Sequence, residues 1–296
     1  MKILIFGCGV IGSVYASRFA EVGYDVSVYA RGKRLEELKK NGLLYEKEKL
    51  IIKSSVKIKD NIKGVYDFVF VTVKYEQVDD ALKEVCNVQC ENIVTMVNNP
   101  FGYDEWEKIL GAGRLIPAFP GAGGIISDGV LKADITPSMI QQTTYGEING
   151  ERTSRIIELG RIFLKSHIPA VQCVDMFAWQ LYHLGLVVPL ADAIYRNGGD
   201  NYSAGKNKSV MLKTALEIQR NINSLKKLGY KIQPQKIKYI LYVPTKILAY
   251  ILGKFYCSDF GSKFIYGHAN KAKEEMMTLR KDYYRLIKNI SKNANE

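Results

Sequence analysis

The chain has 296 residues, of which 47% are hydrophobic and 24% are charged, and its formal net charge at pH 7 is +12. This length suggests two domains, and the composition is that of a globular protein with a sizeable apolar core. A large positive charge can attract nucleic acid or an anionic membrane. However, the lysines are scattered along the chain, and no arginine-rich run or nucleic-acid motif accompanies them. We therefore expect neither nucleic acid nor a membrane as a partner.

The five cysteines form no C-x-x-C pair and have no metal-ligand spacing with the three histidines, so we expect no metal site. Free thiols are typical of a reducing cytosol. The N-terminal residues do not form a signal peptide. The longest apolar run, residues 239–252, contains Pro244 and Lys246 and is too short to span a bilayer. These features predict a cytoplasmic protein.

The first twelve residues, MKILIFGCGVIG, carry the most informative motif of the chain. Residues 3–6 are an apolar run that predicts a buried strand, and a helical pattern extends from the last glycine to residue 22. Between them lies a G-x-G-x-x-G, which predicts a nucleotide-binding turn. The first glycine allows the tight turn, the second the approach of a pyrophosphate, and the third close helix packing. The predicted cofactor-binding residues here are Gly7, Cys8, Gly9, Val10, Ile11 and Gly12.

The second predicted strand, residues 25–29, indicates which nucleotide binds. It leads to Ala30, close to the place where an NAD-binding unit usually has an acidic residue for the ribose 2′-hydroxyl. Arg31 follows instead, with Lys33 and Arg34 just beyond it. Arginine can bind a 2′-phosphate bidentately, so we predict NADP(H) as the cofactor. The alternative is an ordinary solvated basic start of a helix.

The next segments alternate between strands and helices. Residues 42–54 resemble a hairpin, residues 120–124 a loop, and helices are expected after Lys74 and at residues 104–110. Buried strands are predicted at residues 67–73, 92–97 and 114–119. This alternation is typical of a parallel doubly wound sheet, whose ligands bind at the carboxyl ends of the strands. Lys74 and Asn99 follow two such strands and are predicted on the same edge as the glycine turn.

The character of the chain changes near residue 175. A helix at 153–165 and a strand at 170–174 close the first half, and strand alternation then largely disappears. Four long helical patterns follow, at residues 177–195, 208–228, 235–252 and 261–290. A glycine- and asparagine-rich loop at residues 196–207 separates the first two. We predict an α/β protein with a Rossmann-type domain at residues 1–174 and an all-helical substrate domain at residues 175–296. The substrate site is expected in the cleft between them.

Six sequence segments occur in an order that resembles the ketopantoate reductase (2-dehydropantoate 2-reductase) family. They are GCGVIG, VYARG, VTVKYEQ, NNPFG, TYGEINGERTSRIIEL followed by a tryptophan-containing helix, and EEMMTLRKDYYRLIK. The resemblance implies an NADPH-dependent reductase of a 2-oxo acid with a Rossmann domain and a helical C-terminal domain. It also implies that Lys74 and Asn99 lie along the ribose and nicotinamide. Glu275 would be the carboxylate near the reacting centre, with the Ser262 hydroxyl beside it.

The chain departs from the family where the chemistry should occur. The family places a lysine two positions after the tryptophan, but Gln180 and Leu181 follow Trp179 here. Ketone reduction builds negative charge on oxygen, which requires a proton donor or a cation. His183 shares a helical face with Trp179 and is predicted to be catalytic together with Glu275. The alternative for His183 is a partly buried structural histidine.

The family's asparagines on this helix are also replaced, by Gly185 and by Val188 or Pro189 depending on the register. Only Asn197 matches a later asparagine, and it is predicted to bind substrate. His268 lies seven residues before Glu275, so the two form another acid–base candidate on one helical face, unless that face is simply solvated.

Two functions are consistent with these features. The first is an NADPH-dependent oxidoreductase that reduces a 2-oxo acid or related carbonyl other than ketopantoate. The second is a non-catalytic NADP(H)-binding sensor or assembly protein on the same fold. In either case we expect a small acidic ligand and a homodimer.

Overall fold

The computed structural model describes residues 1–261 and 273–293, and the chain divides into two compact units. The N-terminal unit contains Met1–Val97 and Gly102–Met176. The C-terminal unit contains Asn98–Phe101 and the chain from Phe177 onward. The division after residue 176 is two residues beyond the sequence-based boundary. The assignment of Asn98–Phe101 to the C-terminal unit has no counterpart in the sequence prediction.

The described residues of the N-terminal unit form twelve strands in two sheets. In chain order they are β1 (Lys2–Phe6), β2 (Asp25–Tyr29), β3 (Leu44–Lys47), β4 (Leu50–Lys53), β5 (Lys57–Lys59), β6 (Phe68–Val71), β7 (Ile93–Thr95), β8 (Leu115–Phe119), β9 (Ala122–Ser127), β10 (Val130–Ile135), β11 (Thr143–Tyr145) and β12 (Ala170–Gln172).

The larger sheet has the order β12-β11-β8-β7-β6-β1-β2-β5. All neighbours from β8 to β5 are parallel, whereas β11 runs antiparallel to β8. The chain builds the sheet outward from β1 in both directions, with β2 on one side and β6 on the other. Open sheets of this type bind ligands where the strand order reverses. The predicted doubly wound sheet is confirmed, and its switch point lies between β1 and β6.

The smaller sheet, with the order β4-β3-β10-β9, shows that the sequence interpretation of residues 120–124 as a loop was wrong. Residues 122–124 belong to β9, which pairs antiparallel with β10. A Cβ at Gly124 would lie 2.4 Å from the Lys132 carbonyl oxygen, so glycine is required for this pairing. Asp128 and Gly129, at φ angles of +52° and +79°, form the connecting turn. Glycines hide β9 because they leave no alternation of side chains.

Eleven helices are present in the described residues. The N-terminal five are α1 (Val10–Glu21), α2 (Gly32–Asn41), α3 (Val78–Val85), α4 (Asp104–Leu110) and α5 (Ser154–Lys165). The others are α6 (Met176–Tyr195), α7 (Asn201–Lys206), α8 (Lys208–Lys227), α9 (Thr245–Tyr256), α10 (Asp259–Gly261) and α11 (Lys273–Asn293). Two 3₁₀ helices cover Tyr75–Gln77 and Gln235–Tyr242.

Two secondary-structure predictions for the second half, one of a helix and one of a loop, were wrong. The single helix predicted at residues 235–252 is a 3₁₀ helix followed by α9, with extended backbone at Val243. Pro244 disfavours a helical conformation at the residue before it, and this explains the break. The predicted loop at 196–207 contains α7, whose first turn is capped by the Asp200 carboxylate accepting the Ser203 N–H at 2.6 Å.

Each unit has its own apolar core. In the N-terminal unit the Phe19 ring of α1 lies 5.1 Å from the Phe70 ring and 6.3 Å from the Phe163 ring. In the C-terminal unit Leu181 and Tyr182 of α6 belong to a cluster with apolar side chains of α8. Among the described helices, α6 is the one with the length and composition to cross a membrane. Yet 72% of its most apolar window is buried, as in a core helix.

Candidate functional site

The turn between β1 and α1 depends on close contacts at two of its glycines. Gly7 has a φ angle of +100°, and a Cβ there would lie 3.1 Å from the Thr72 carbonyl oxygen. A Cβ at Gly12 would lie 2.0 Å from the Gly7 carbonyl oxygen and 2.6 Å from Thr72 Oγ1. The Thr72 hydroxyl donates a hydrogen bond to that same carbonyl at 2.6 Å. Thr72, which follows β6, therefore joins the switch point to the turn, and packing alone explains both glycines.

Packing does not explain Gly9. Its backbone is extended (φ −74°, ψ −159°), which any residue can adopt, and a Cβ there would meet no described atom within 4 Å. Gly9 precedes α1 without a capping side chain, and the first intrahelical bond runs from Ser13 N–H to the Gly9 carbonyl at 2.9 Å. The N–H groups of the first turn therefore lack intrahelical acceptors. Open space beside a glycine at the positive end of a helix fits a pyrophosphate.

Buried contacts of Cys8 and hydrogen bonds from Arg34 hold the glycine turn in place. Cys8 is buried, and this burial raises the pKa of its thiol, which lies 3.3 Å from Ser13 Oγ. Arg34 Nε donates to the Cys8 carbonyl at 2.9 Å, and Arg34 Nη2 donates to Ser13 Oγ at 3.3 Å. The sequence grouped Arg34 with Arg31 as one cationic cluster. The structure instead gives Arg34 the task of holding the turn.

Arg31 lies directly before α2 and is about half exposed. Its Nε donates to the Tyr29 hydroxyl at 2.9 Å, and its Nη2 forms an ion pair with Glu84 of α3. The guanidinium also lies over the rings of Phe6 and Tyr29, at 5.8 and 5.5 Å. The hydrogen bonds to Tyr29 and then Glu84 raise the pKa of Arg31. Arg31 is therefore a fixed positive charge at the end of β2. Glu84, which the sequence analysis missed, would compete with an anionic ligand for this charge.

The two remaining cofactor-binding predictions lie in different units. Lys74 follows Thr72 by two residues in the N-terminal unit, is exposed, and lies 3.8 Å from the Glu76 carboxylate. Asn99 lies in the C-terminal unit, where its backbone N–H donates to Gln180 Oε1 at 2.6 Å. Beside it, Asn98 Oδ1 is buried and has no hydrogen-bond partner among the residues that the structure describes. An orphaned amide oxygen of this kind fits a ligand amide donor.

On α6, the predicted relation between Trp179 and His183 is confirmed. Their rings are stacked, with centroids 5.1 Å apart and planes 9° apart, and His183 is half-buried. Gln180, which follows Trp179, is fully buried, and its Oε1 accepts a hydrogen bond from the Asn99 backbone N–H. The catalytic role of His183 stays a prediction.

Two of the positions at which the sequence resemblance implies polar residues, 181 and 185, lie in packed surroundings. Leu181 is completely buried in the apolar cluster of the C-terminal unit. A Cβ at Gly185 would lie 2.9 Å from the Tyr283 hydroxyl oxygen and 3.4 Å from Asn221 Cβ. Asn221 Nδ2 also donates to the Gly185 carbonyl at 3.1 Å. An asparagine at residue 185 would therefore require the Tyr283 side chain to move.

The predicted substrate residues and the predicted acid are placed as follows. Asn197 Nδ2 donates to the Ala193 carbonyl at 2.9 Å, and its Oδ1 accepts from Asn207 Nδ2 at 3.1 Å. Glu275 lies in the first turn of α11 and is half-buried. Ser262, and His268 of the alternative acid–base pair, lie outside the described residues. The roles of these residues stay predictions.

A separate cavity of about 730 Å³ in the N-terminal unit contains none of the predicted site residues. It is lined in part by Glu147 and Arg155 of the TYGEINGERTSRIIEL segment. Burial alone would raise the pKa of Glu147, but hydrogen bonds from Arg155 Nε at 2.7 Å and the Thr153 hydroxyl at 2.5 Å lower it. Glu147 follows β11, and Thr153 and Arg155 lie at the start of α5. These hydrogen bonds therefore connect the two segments and use the charges of both Glu147 and Arg155.

These features define the class of protein: a Rossmann-type nucleotide-binding fold with a helical C-terminal unit. Residues 3–150 match the family model described as ketopantoate reductase PanE/ApbA, which covers half of the chain. The chain belongs to the ketopantoate reductase family.

Two curated relatives extend this result. The uncharacterized oxidoreductase YkpB of Bacillus subtilis is 29% identical over 187 residues, which are 62% of this chain and 61% of that protein. The 2-dehydropantoate 2-reductase of Pyrococcus horikoshii is 34% identical over 132 residues, which are 44% of this chain and 41% of that enzyme. The chain thus spans less than two thirds of the length of each relative, and both carry the names of oxidoreductases.

A solved structure of D-mandelate dehydrogenase, a ternary complex with NADH and anilino(oxo)acetate, matches the whole architecture. The TM-score is 0.69 at 14% sequence identity, with 98% of this chain and 99% of that chain covered. At this identity the likeness shows the fold: an N-terminal Rossmann domain followed by a helical domain.

The glycine turn generates a paired test. We expect Gly12→Ala to lower the free energy of unfolding by about 1–3 kcal/mol, because the new Cβ would overlap the Gly7 carbonyl. Gly9→Ala should leave stability unchanged but weaken nicotinamide nucleotide binding at least about tenfold, because its methyl group would occupy the pyrophosphate space. Denaturant unfolding and calorimetric titration measure the two effects. Normal nucleotide binding by Gly9→Ala would contradict the assignment of this space.

Proposed function

We propose that the protein is an NADPH-dependent oxidoreductase that reduces a 2-oxo acid or a related carbonyl compound. The observation that carries the proposal is the pairing of an open Gly9 turn with the Arg31 cation at the end of β2. The first suits a pyrophosphate and the second a 2′-phosphate. Membership of the ketopantoate reductase family and the oxidoreductase names of the relatives support the same reaction class.

NADPH, when bound, supplies the hydride. The backbone of residues 7–12 would hold its pyrophosphate and Arg31 its 2′-phosphate. Lys74 and Asn99 would contact the ribose and nicotinamide, and Asn98 Oδ1 would accept a hydrogen bond from the nicotinamide amide. Hydride delivery builds negative charge on the substrate oxygen, so a proton donor must come from the protein. We assign that role to His183, and Glu275 would be the carboxylate near the reacting centre. Asn197 and Ser262 would bind the substrate.

The substrate is a small 2-oxo acid other than ketopantoate. The cationic donor that the family resemblance implies is missing, because residue 181 is a leucine. Leu181 is buried among apolar side chains and Gln180 is hydrogen-bonded to the Asn99 backbone, so neither can replace it. A cation at the reacting oxygen typically contributes a factor of about 100 to 1,000 in rate. The proposal also includes a homodimer acting in the cytoplasm.

A second candidate is a non-catalytic NADP(H)-binding sensor. The packing of Leu181 and of Gly185 against Tyr283 favours it, because both positions have been filled by residues without acid–base chemistry. The two candidates differ in turnover but not in cofactor binding.

A substrate panel tests the proposal. NADPH oxidation should occur with at least one 2-oxo acid of the panel. With ketopantoate, turnover should fall about 100- to 1,000-fold below an ordinary rate of about 10 per second. Stopped-flow absorbance of NADPH measures both. If NADPH binds but no panel member reacts, the sensor is the correct function. Fast turnover of ketopantoate would contradict our interpretation of Gln180 and Leu181.

Cofactor preference tests the role of Arg31. NADPH should bind at least about tenfold more tightly than NADH, since one charge-assisted contact contributes roughly 1.5–3 kcal/mol. Arg31→Ala should abolish this preference, whereas Lys33→Ala, which removes an exposed neighbouring charge, should retain it. Glu84→Gln should tighten NADPH about two- to fivefold, because an exposed competing ion pair is lost. Calorimetry with both nucleotides measures all four proteins, and equal affinities of the unmodified protein would refute the assignment.

The proton donor is tested on α6. His183→Ala should lower turnover at least about a hundredfold with unchanged NADPH affinity, because histidine is the side chain that titrates near neutral pH. His183→Phe should have the same effect while keeping a ring against Trp179, which separates proton donation from packing. His167→Asn, at an exposed turn of the N-terminal unit, is the control. Near-normal turnover of His183→Phe would place the donor elsewhere.

A further inference from the structure

One stretch of the C-terminal unit has an unusual charge composition. Residues 218–258 contain Arg220 and seven lysines but no aspartate or glutamate. The acids that flank this stretch are Glu217, which accepts two hydrogen bonds from Arg196 at 3.0 and 3.1 Å, and Asp259. The stretch includes the end of α8, the 3₁₀ helix Gln235–Tyr242 and α9. The charge therefore cannot be neutralised from within these elements.

The 3₁₀ helix presents one regular face to solvent. Lys236, Tyr239 and Tyr242 are three residues apart, and side chains at this spacing are eclipsed in a 3₁₀ helix. The tyrosines are 63% and 78% exposed, whereas Ile237 on another side is buried. The Lys238 ammonium lies 5.2 Å from the centre of the Tyr239 ring. Aromatic rings and ammonium groups thus form a mixed, exposed row.

Helix α9 continues the same composition. Ile247, Tyr250 and Ile251 are 52%, 67% and 51% exposed, and helical spacing places them on one face. Lys246 and Lys254 are exposed beside them, and the Lys254 ammonium lies 5.6 Å from the centre of the Tyr250 ring. The opposite face, with Leu248, Ala249 and Tyr256, is buried.

The junction between the two helices is fixed by one side chain of α8. Gln219 Nε2 donates to the carbonyls of Ile240 and Val243, at 3.0 and 2.8 Å. Its Oε1 accepts from the Thr245 hydroxyl at 2.8 Å. Because these three bonds hold the chain on both sides of Pro244, the two exposed rows are held in place by folded structure.

We propose that this basic aromatic surface, formed by Lys236, Tyr239, Tyr242, Lys246, Ile247, Tyr250, Ile251 and Lys254, binds the surface of an anionic lipid bilayer. Tyrosines prefer the boundary between apolar and wet surroundings. Aliphatic side chains enter the acyl boundary, while lysines extend to the headgroups and are attracted to anionic lipids. The sequence-based expectation of no membrane partner rested on lysines scattered along the chain, but it did not consider that residues 218–258 carry basic residues without any acidic one.

The charges and side-chain types of this surface favour an anionic bilayer over a second copy of the chain and over single-stranded nucleic acid. A symmetric interface between two copies would bring lysines against lysines, with no carboxylate in the stretch to offset the repulsion. Single-stranded nucleic acid would use the lysines and tyrosines, through phosphate contacts and stacking, but would leave Ile247 and Ile251 unused. An anionic bilayer uses all three kinds of side chain, and this proposal is independent of the reductase reaction.

Vesicle cosedimentation of the whole 296-residue chain tests the proposal. Binding to vesicles of phosphatidylcholine with about one third phosphatidylglycerol should be at least about tenfold tighter than to phosphatidylcholine alone. It should weaken at least about tenfold between about 0.05 and 0.5 M salt, because counterions screen the lysines. NADPH affinity should not change on vesicle binding.

Three double variants assign the surface. Ile247→Ser with Ile251→Ser, and separately Lys246→Glu with Lys254→Glu, should each reduce binding at least about tenfold. Leu50→Ser with Ile51→Ser is the matched control, because these β4 residues are at least as exposed and lie beside Lys49 in the N-terminal unit. Circular dichroism checks that each variant is folded. If the isoleucine variant does not fold, the lysine variant still tests the proposal.

Four results would overturn the proposal. They are absent binding, equal binding to neutral and anionic vesicles, loss of binding in the β4 control alone, and retained binding in both α9 variants. Two further measurements identify another occupant. Tighter binding to a single-stranded RNA oligonucleotide would assign the surface to nucleic acid. A dimer in sedimentation velocity that is lost with the isoleucine pair would assign it to a second copy.

Discussion

The nucleotide site depends on one close approach, that of Gly12 in α1 to the Gly7 carbonyl that Thr72 also contacts. This approach brings α1 against the switch point of the sheet and places its first N–H groups beside the open space at Gly9. Arg34 then fixes the turn through the Cys8 carbonyl. The proposed pyrophosphate site is consequently made of backbone groups held by packing, and a side chain, that of Arg31, is needed only for the proposed 2′-phosphate contact.

Backbone sites of this kind can be predicted from sequence because their signals are local. An apolar strand, three glycines and a helix occur within about twenty residues, and each glycine position has a steric reason. The smaller sheet lacked such a signal, since the glycines of β9 remove the side-chain alternation by which strands are recognised. Pro244 was a local signal for the break before α9. The sequence interpretation nevertheless predicted one helix, because it gave more weight to the hydrophobic pattern on both sides of this proline.

The side-chain part of the site could be predicted only in part. The charge of Arg31 is visible in the sequence, but its ion pair with Glu84 joins residues 53 positions apart, which no local pattern encodes. The same holds for Gln180, whose bond to the Asn99 backbone spans 81 positions. Stacking of His183 on Trp179 was predictable because both lie on one helical turn.

Packing constrains the glycine turn of the N-terminal unit and α6 of the C-terminal unit in different ways. The N-terminal unit keeps the glycine turn and its supporting contacts, because a substitution there would disturb the sheet itself. In the C-terminal unit the tyrosine of α11 occupies the space beside Gly185, and Leu181 contributes to the apolar core. An asparagine at residue 185 would meet the Tyr283 hydroxyl, and a lysine at residue 181 would bury an unpaired charge. A lysine at residue 181 and an asparagine at residue 185 would therefore both require coordinated changes in the neighbouring helices, including α11.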